Sequence, residues 1–208
     1  MAAKGVKPFS NSLLMSEAEL IQACVKNDKT AKKQFFETFY SKLAYIGLRY
    51  SKNASQADQI TLKGFSHLFA QLPAFRSQGK QNLEEYVTHQ FIAFVVNHIK
   101  SIRNEYYVAS TIKAVETKDH TYDLFLDSGL IDLKSSNPEI VLKSIQELVP
   151  SQRLVFNLHV IDNYTLASIS ELLETSEQTI KSNLEKARFN LQKAIERNLK
   201  LNNNEQPV

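Results

Sequence analysis

The chain has 208 residues, 43% of them hydrophobic and 23% charged, with a net charge of +3. This length allows one or two domains and this composition fills a globular core. The mild positive charge is compatible with nucleic acid without identifying it. The single cysteine, Cys24, excludes an internal disulfide framework. With only five Gly and five Pro over the whole length, long uninterrupted helices are expected. No apolar run approaches the ~18 residues of a membrane span.

Residues 1–15 hold no signal-peptide core and read as a disordered tail. Ser16 to Lys26 follows as a first helix. Ser16 and Glu19 have the spacing of a capping box, and Leu20, Ile21, Cys24 and Val25 form an apolar face. Thr30 to Tyr50 is the second helix, its stripe of Phe35, Phe36, Phe39, Tyr40, Leu43, Ile46, Gly47 and Tyr50 recurring every three to four residues. Such a stripe is expected to face neighbouring helices. A third helix is predicted over Ser55 to Leu72, started by Ser55 with Asp58 and stopped by Pro73. A fourth covers Leu83 to Asn104 and is apolar nearly all round, the mark of a helix central to a bundle.

The periodicity then stops, and 106–136 reads as a flexible linker. Asn137-Pro138 restarts helix with a cap and a first-turn proline. Helices are expected to Pro150, then over Ser151 to Ile161, Thr165 to Leu173 and Ser176 to Leu199, before a short tail at 201–208. In the last of these, Ile180, Leu184, Ala187, Leu191 and Ile195 fall on one inward face. The predicted fold class is all-α: a four-helix domain at 16–105 and a second helical domain at 137–200.

Signs of catalysis are missing. His67, His89, His98, His120 and His159 lack metal-ligand spacing, and no phosphate loop or nucleophile elbow is present. Asp119, Asp123, Asp127 and Asp132 read as a solvated acidic linker. The sequence is therefore read as a non-enzyme needing no cofactor and no metal. Thr165 to Gln192 carries more information: a short capped helix, a turn around Glu174-Thr175 and a second capped helix form a helix-turn-helix. In that motif the start of the second helix enters the major groove. Gln178, Thr179, Lys181, Ser182 and Asn183 would then face base edges or phosphates, with Lys186 and Arg188 further along the backbone. Any helical hairpin shares this spacing, so an ordinary solvated surface helix stays open as an alternative.

Leu148-Val149-Pro150-Ser151-Gln152-Arg153-Leu154-Val155-Phe156-Asn157-Leu158 resembles the opening of sigma region 4. Tyr164 to Ile169 and Ser176 to Arg188 resemble its helix-turn-helix. Asn27-Asp28 through Phe35 to Tyr40, Leu48-Arg49-Tyr50 before Ala57-Asp58, Phe75-Arg76, and Asn97 with Ile102-Arg103 resemble region 2. The chain is thus similar to the extracytoplasmic-function sigma factors, in divergent form. The resemblance implies a cytoplasmic, nucleoid-associated bacterial transcription initiation factor. Its partners would be core RNA polymerase, through the β′ clamp helices and β flap, and double-stranded promoter DNA. An anti-sigma or RNA-guided partner protein is compatible with it, and no membrane is involved.

By the same resemblance, Arg49, Asp58, Leu62, Phe65 and Phe69 would meet the polymerase clamp, and Phe75, Arg76, Asn97, Lys100 and Arg103 single-stranded DNA. The sequence departs from the family where a later acid of the clamp helix is Lys63. It departs again where the melting helix carries Gln90 for tryptophan and Ala93 and Val96 at basic positions. Stacking and positive charge hold single strands, so promoter melting is expected to be weakened. That leaves an alternative: a sigma-derived adaptor or decoy, recruiting polymerase to sites chosen by another factor such as an RNA-guided effector. A third alternative is an unrelated helix-turn-helix repressor, though it leaves 28–103 unexplained. In region 4, Glu174 stands at the turn glycine and Ser168 at a common glutamate.

Overall fold

A computed structural model describes residues 15–75, 82–102 and 137–204. The expected tail before residue 15, the linker at 106–136, Arg76 and Arg103, and the last residues from 205 lie outside the described residues. Every regular element described is helical. The first half holds α1 (Glu17–Val25), α2 (Lys29–Tyr50), α3 (Ala54–Gln71) with a 3-10 turn at Leu72–Ala74, and α4 (Leu83–Ser101). The second holds α5 (Pro138–Glu147), α6 (Pro150–Phe156), a π-helical turn (Asn157–Ile161), α7 (Leu166–Leu173) and α8 (Glu177–Asn204).

Local chemistry sets most boundaries. The Ser16–Glu19 box closes the start of α1, with the Ser16 amide donating to Glu19 Oε2 at 2.9 Å. Asp28 accepts from the Ala31 amide at 2.7 Å and caps α2. For α3 the cap is Asn53 rather than Ser55: its Oδ1 accepts from the Gln56 amide at 2.9 Å, while Gln56 Oε1 accepts from the Lys52 amide. Two amide side chains thus satisfy two free donors, and Ser55 falls inside the first turn. Helix α8 continues to Asn204, past the end at Leu199 expected from the sequence.

Helix α2 packs on α1, α3 and α4, and its aromatic stripe is the core of the first half. Phe35 lies 4.7 Å from Phe39 and 5.3 Å from Phe69 by ring centroid, and Phe36 lies 4.5 Å from Phe65. Glycines let the helices approach closely. A Cβ on Gly47 would come within 2.7 Å of Thr61 Oγ1, and one on Gly64 within 2.3 Å of the fully buried Phe91 ring. In the second half, Leu154, Leu158, Ile169, Ile180, Leu184, Ala187 and Leu191 are buried against one another.

The two helical groups that the sequence predicts are in contact with each other. Helix α2 packs against α5, and the apolar cluster runs through both halves. The seam is polar at its centre. Arg49, at the end of α2 and 4% exposed, grips Asp162 with two hydrogen bonds, Nη1 to Oδ2 at 2.7 Å and Nη2 to Oδ1 at 2.5 Å. The Tyr50 hydroxyl donates to the same Oδ2 at 2.7 Å. Asn157 Nδ2 donates to the Arg49 carbonyl at 2.9 Å, and its Oδ1 accepts from Arg49 Nη1 at 3.0 Å. Arg153 Nε donates to the Tyr50 carbonyl and Gln146 Nε2 to the Leu48 carbonyl. These side chains satisfy the carbonyls that the end of α2 leaves without intrahelical partners.

The sequence predicts one helix over Ser151 to Ile161, but α6 passes into a π turn at Asn157. There the Asp162 amide donates to the Asn157 carbonyl, five residues back, at 2.9 Å. The π turn, a common feature of functional places, brings Asn157 and Asp162 together onto Arg49.

Electrostatics follow from this burial. Burial works against the Arg49 charge, but the hydrogen bond and charge of Asp162 outweigh it and raise its pKa. Burial, with the Asp162 charge beside it, pushes the Tyr50 phenol well above its ordinary 10.0. A raised folded-state pKa contributes stability that is present below the unfolded value and lost as pH rises towards the folded one. The Tyr50 contribution should therefore be constant below pH 10 and be lost above it, and Tyr50→Phe should reduce the alkaline loss of stability in urea melts, the half-buried Tyr164 and Tyr86 phenols contributing to the remainder.

Substitution Gly64→Ala should destabilise the fold. The helix-propensity gain is about 1 kcal/mol, whereas forcing a methyl against a buried ring costs about 1–3 kcal/mol or more. Chemical denaturation should show a lowered midpoint; a raised one would mean the α3–α4 contact relaxes freely.

Candidate nucleic-acid interface

Helices α7 and α8 form the helix-turn-helix. Thr165 caps α7, its Oγ1 accepting from the Ser168 amide at 3.1 Å, and the Ser168 hydroxyl lies 2.8 Å from Thr165 Oγ1. Ser168, where the family commonly has glutamate, thus completes the cap with a hydroxyl. Ser176 starts α8, its Oγ accepting from the Thr179 amide at 3.1 Å. Buried Ile169 and Leu173 of α7 and Ile180, Leu184 and Ala187 of α8 fix the two helices relative to each other. The DNA-facing expectation rests on the start of α8, and Gln178, Thr179 and Lys181 are exposed there. Ser182, Asn183, Lys186 and Arg188 are half-buried along the same helix. Asn183 is partly engaged, its Nδ2 donating to the Thr179 carbonyl at 3.0 Å and its Oδ1 accepting from Ser151. The exposed first turn presents free helix N–H groups and short polar side chains, which suit phosphate and base edges.

The turn contains Glu174 in the left-handed region, φ 53° and ψ 44°. An L side chain there costs about 1–2 kcal/mol, a penalty that glycine escapes. The conformation is held by the Thr175 amide donating to the Ser170 carbonyl at 3.1 Å and by Ser170 Oγ donating to the Thr175 carbonyl at 2.5 Å. Glu174 also reaches across the seam, where Lys100 Nζ of α4 donates to its Oε1 at 2.7 Å. Lys100 donates as well to the Leu172 carbonyl at 3.1 Å, placing a cation at the C-terminal end of α7. The Lys100 hydrogen bond and charge hold the Glu174 carboxyl below its usual pKa.

The other expected site residues are scattered. Asp58 and Leu62 are exposed one turn apart on α3. Phe65 is buried in the aromatic cluster, and Phe69 is half-buried there with Lys32 Nζ 5.0 Å over its ring. Arg49 is in the seam. Of the single-strand set, Phe75 packs on Tyr86 at 4.8 Å, Asn97 is exposed, and Lys100 is tied to Glu174. Sequence reasoning missed Asp162, Asn157 and the outward reach of Glu174. One signal was available for Asn157, a lone amide inside the apolar run Leu154 to Leu158. Among the described residues no group of His, Cys, Asp or Glu could hold a metal ion, and no helix is long and apolar enough to cross a membrane.

Glycine at the turn should relieve the backbone while breaking the tie to Lys100. Glu174→Gly should raise the Tm by about 2–4 °C, and Lys100→Gln, which breaks the tie and leaves the backbone as it is, should give no rise. Calorimetry on the two variants separates strain from pairing; equal shifts would refute the strain.

Comparison with known proteins agrees with this geometry. Residues 139–191, from α5 into α8, match the protein family described as Sigma-70, region 4. No curated protein matches the sequence. Among solved structures, the chain is similar to the sigma factor RpoE from Bartonella quintana, crystallised with the anti-sigma factor NepR. The two are 18% identical with a TM-score of 0.47, over 79% of this chain and 96% of that one. With its family match, its capped helix-turn-helix and its exposed second-helix start, the segment 139–191 is a sigma-70 region 4 domain.

Proposed function

We propose that this protein is a transcription initiation factor of the sigma type, which binds core RNA polymerase and directs it to double-stranded promoter DNA. The observation that carries this reading is the region 4 match on a formed helix-turn-helix whose second helix opens to solvent. Gln178, Thr179, Ser182 and Asn183 face base edges or phosphates, Lys181 meets a phosphate, and Lys186 and Arg188 hold the backbone further along. Asp58 and Leu62 offer an exposed polymerase contact on α3. The resemblance of the first half to region 2 supports that contact.

A second reading is favoured by α4. Its Val96 is buried, Gln90 and Ala93 are half-buried, and Lys100 is occupied by Glu174. A helix so furnished offers little stacking or positive charge to a melted strand. On that reading the protein is an adaptor that brings polymerase to sites opened or chosen by another factor, such as an RNA-guided effector.

Co-purification with core polymerase, followed by transcription from a library of genomic DNA at stated salt, tests both. Binding with transcription by protein and core alone supports the initiation factor; binding without transcription favours the adaptor. Failure to bind core where a known sigma factor binds overturns the common premise. In DNA titrations, Lys181→Ala should weaken binding evenly across sequences and reduce the salt slope by about 1. A change confined to one base position would instead make Lys181 a base reader.

A further inference from the structure

Helices α3 and α4 share a set of ring contacts unlike those of the core. His67 of α3 lies 5.2 Å by ring centroid from Phe94 of α4, with 29° between the planes. His98 lies 6.0 Å from the same Phe94 at 12°. The ring pairs of the core meet instead at 31° to 86°, the tilted packing that fills space. His67, Phe94 and His98 are each half-buried, so this near-parallel row lies at the surface. Both partners of the phenyl ring are imidazoles, which carry hydrogen-bonding nitrogens that an apolar core margin does not need.

The neighbours of the row suit nucleic acid. Lys63 is exposed one turn before His67 on α3, at the position where the family resemblance leads to an acid. Gln90 is half-buried one turn before Phe94, and Asn97 is exposed three residues after it. Lys63 supplies a cation for a phosphate, Gln90 and Asn97 supply amides for a base edge, and the rings supply flat faces. Helix α4 by itself offers a melted strand little; α3 adds an imidazole and a cation. His67 is five residues from Leu62 and nine from Asp58, which at 3.6 residues per turn puts it on the side of α3 away from the polymerase contact. Both sides of α3 can therefore be occupied at once. We propose that His67 and Phe94, with Lys63 beside them, form a stacking site for an unpaired base of single-stranded DNA, one turn along α4 from Gln90. The role of that strand in transcription rests on the function proposed above; the affinity of the site for an unpaired base does not. Every base has a π face, so the site takes bases with little sequence preference and rejects duplex, whose bases are already stacked. Such a site favours the initiation factor over the adaptor.

The test uses the full chain, which contains no tryptophan. His67→Trp installs a single one at the site, and its emission is quenched when a base stacks on it. A single-stranded deoxyoligonucleotide of mixed sequence should quench this emission, and the same sequence as a duplex should leave it unchanged. In anisotropy titrations with the labelled single strand, His67→Ala and Phe94→Leu should each weaken binding on the order of 10-fold while duplex binding stays at parent level. Lys63→Ala should reduce the salt slope of single-strand binding by about 0.7. Phe94 is half-buried, so its variant is read only if its thermal midpoint matches the parent; His67→Ala and Lys63→Ala carry the test in any case. The site is overturned if single strands leave the His67→Trp emission unchanged or if duplex quenches it equally. It is also overturned if the variants lose single-strand and duplex binding alike, or if the corresponding ribo-oligonucleotide binds more tightly than the deoxy strand. Quenching by single strands without binding to core polymerase overturns the sigma reading and leaves the base site standing. Transcription at parent level by His67→Ala, with unchanged single-strand affinity, overturns the base site and leaves the sigma reading standing.

Discussion

The Arg49–Asp162 pair is the interaction on which the arrangement of the two halves depends. A guanidinium and a carboxylate meet in bidentate geometry with little exposure to solvent, and the Tyr50 hydroxyl takes one of the remaining acceptor positions on Asp162. Removing one partner from such a pair costs about 3–5 kcal/mol, far more than the pair contributes over an apolar replacement. The pair therefore fixes register between the halves more than it glues them. The side chains around it serve the same end: Asn157, Arg153 and Gln146 all donate to carbonyls at the end of α2, so that this helix finishes against the second half rather than in water.

The helix-turn-helix is built differently. Thr165 and Ser176 cap its helices with their own hydroxyls, and a short apolar face between α7 and α8 fixes their angle. None of those contacts crosses the seam, so the DNA-facing element can keep its shape whether the halves are joined or apart. Its coupling to the first half runs through its turn and the ends of α7, where Lys100 meets Glu174 and the Leu172 carbonyl and His89 lies 6.3 Å from the Tyr164 ring. Glu174 takes a backbone conformation suited to glycine, and its carboxylate answers Lys100. A residue that is unfavourable for local reasons is thus placed where it makes a contact at long range.

Much of the fold was legible because its causes are local. The box of Ser16 with Glu19, the Asn137-Pro138 start and the stop at Pro150 each act within one helical turn. The apolar face of α8, from Ile180 to Ile195, is buried as its spacing predicts. The start of α3 was misread because Ser55 and Asn53 are both good caps, and the choice turned on Gln56 reaching back to the Lys52 amide. The polymerase-facing set was legible only as a motif. The spacing of Phe65 and Phe69 does not distinguish a partner face from the aromatic core, and the structure puts Phe65 in the core.

By itself the sequence determined an all-α chain with two helical groups, the helix-turn-helix and the exposed polar start of its second helix. Periodicity, capping and turn chemistry act over a few residues and leave their marks in order along the chain. The tertiary structure alone decided that the halves dock, that Arg49 turns inward to Asp162 and that a π turn at Asn157 brings the two acceptors onto it. The sequence distance between Arg49 and Asp162 is 113 residues, and nothing in either local pattern specifies the other. A charge inside a helix end reads as solvated until its counter-charge is seen buried beside it, which is why the pair that fixes the halves together was the part the sequence kept hidden.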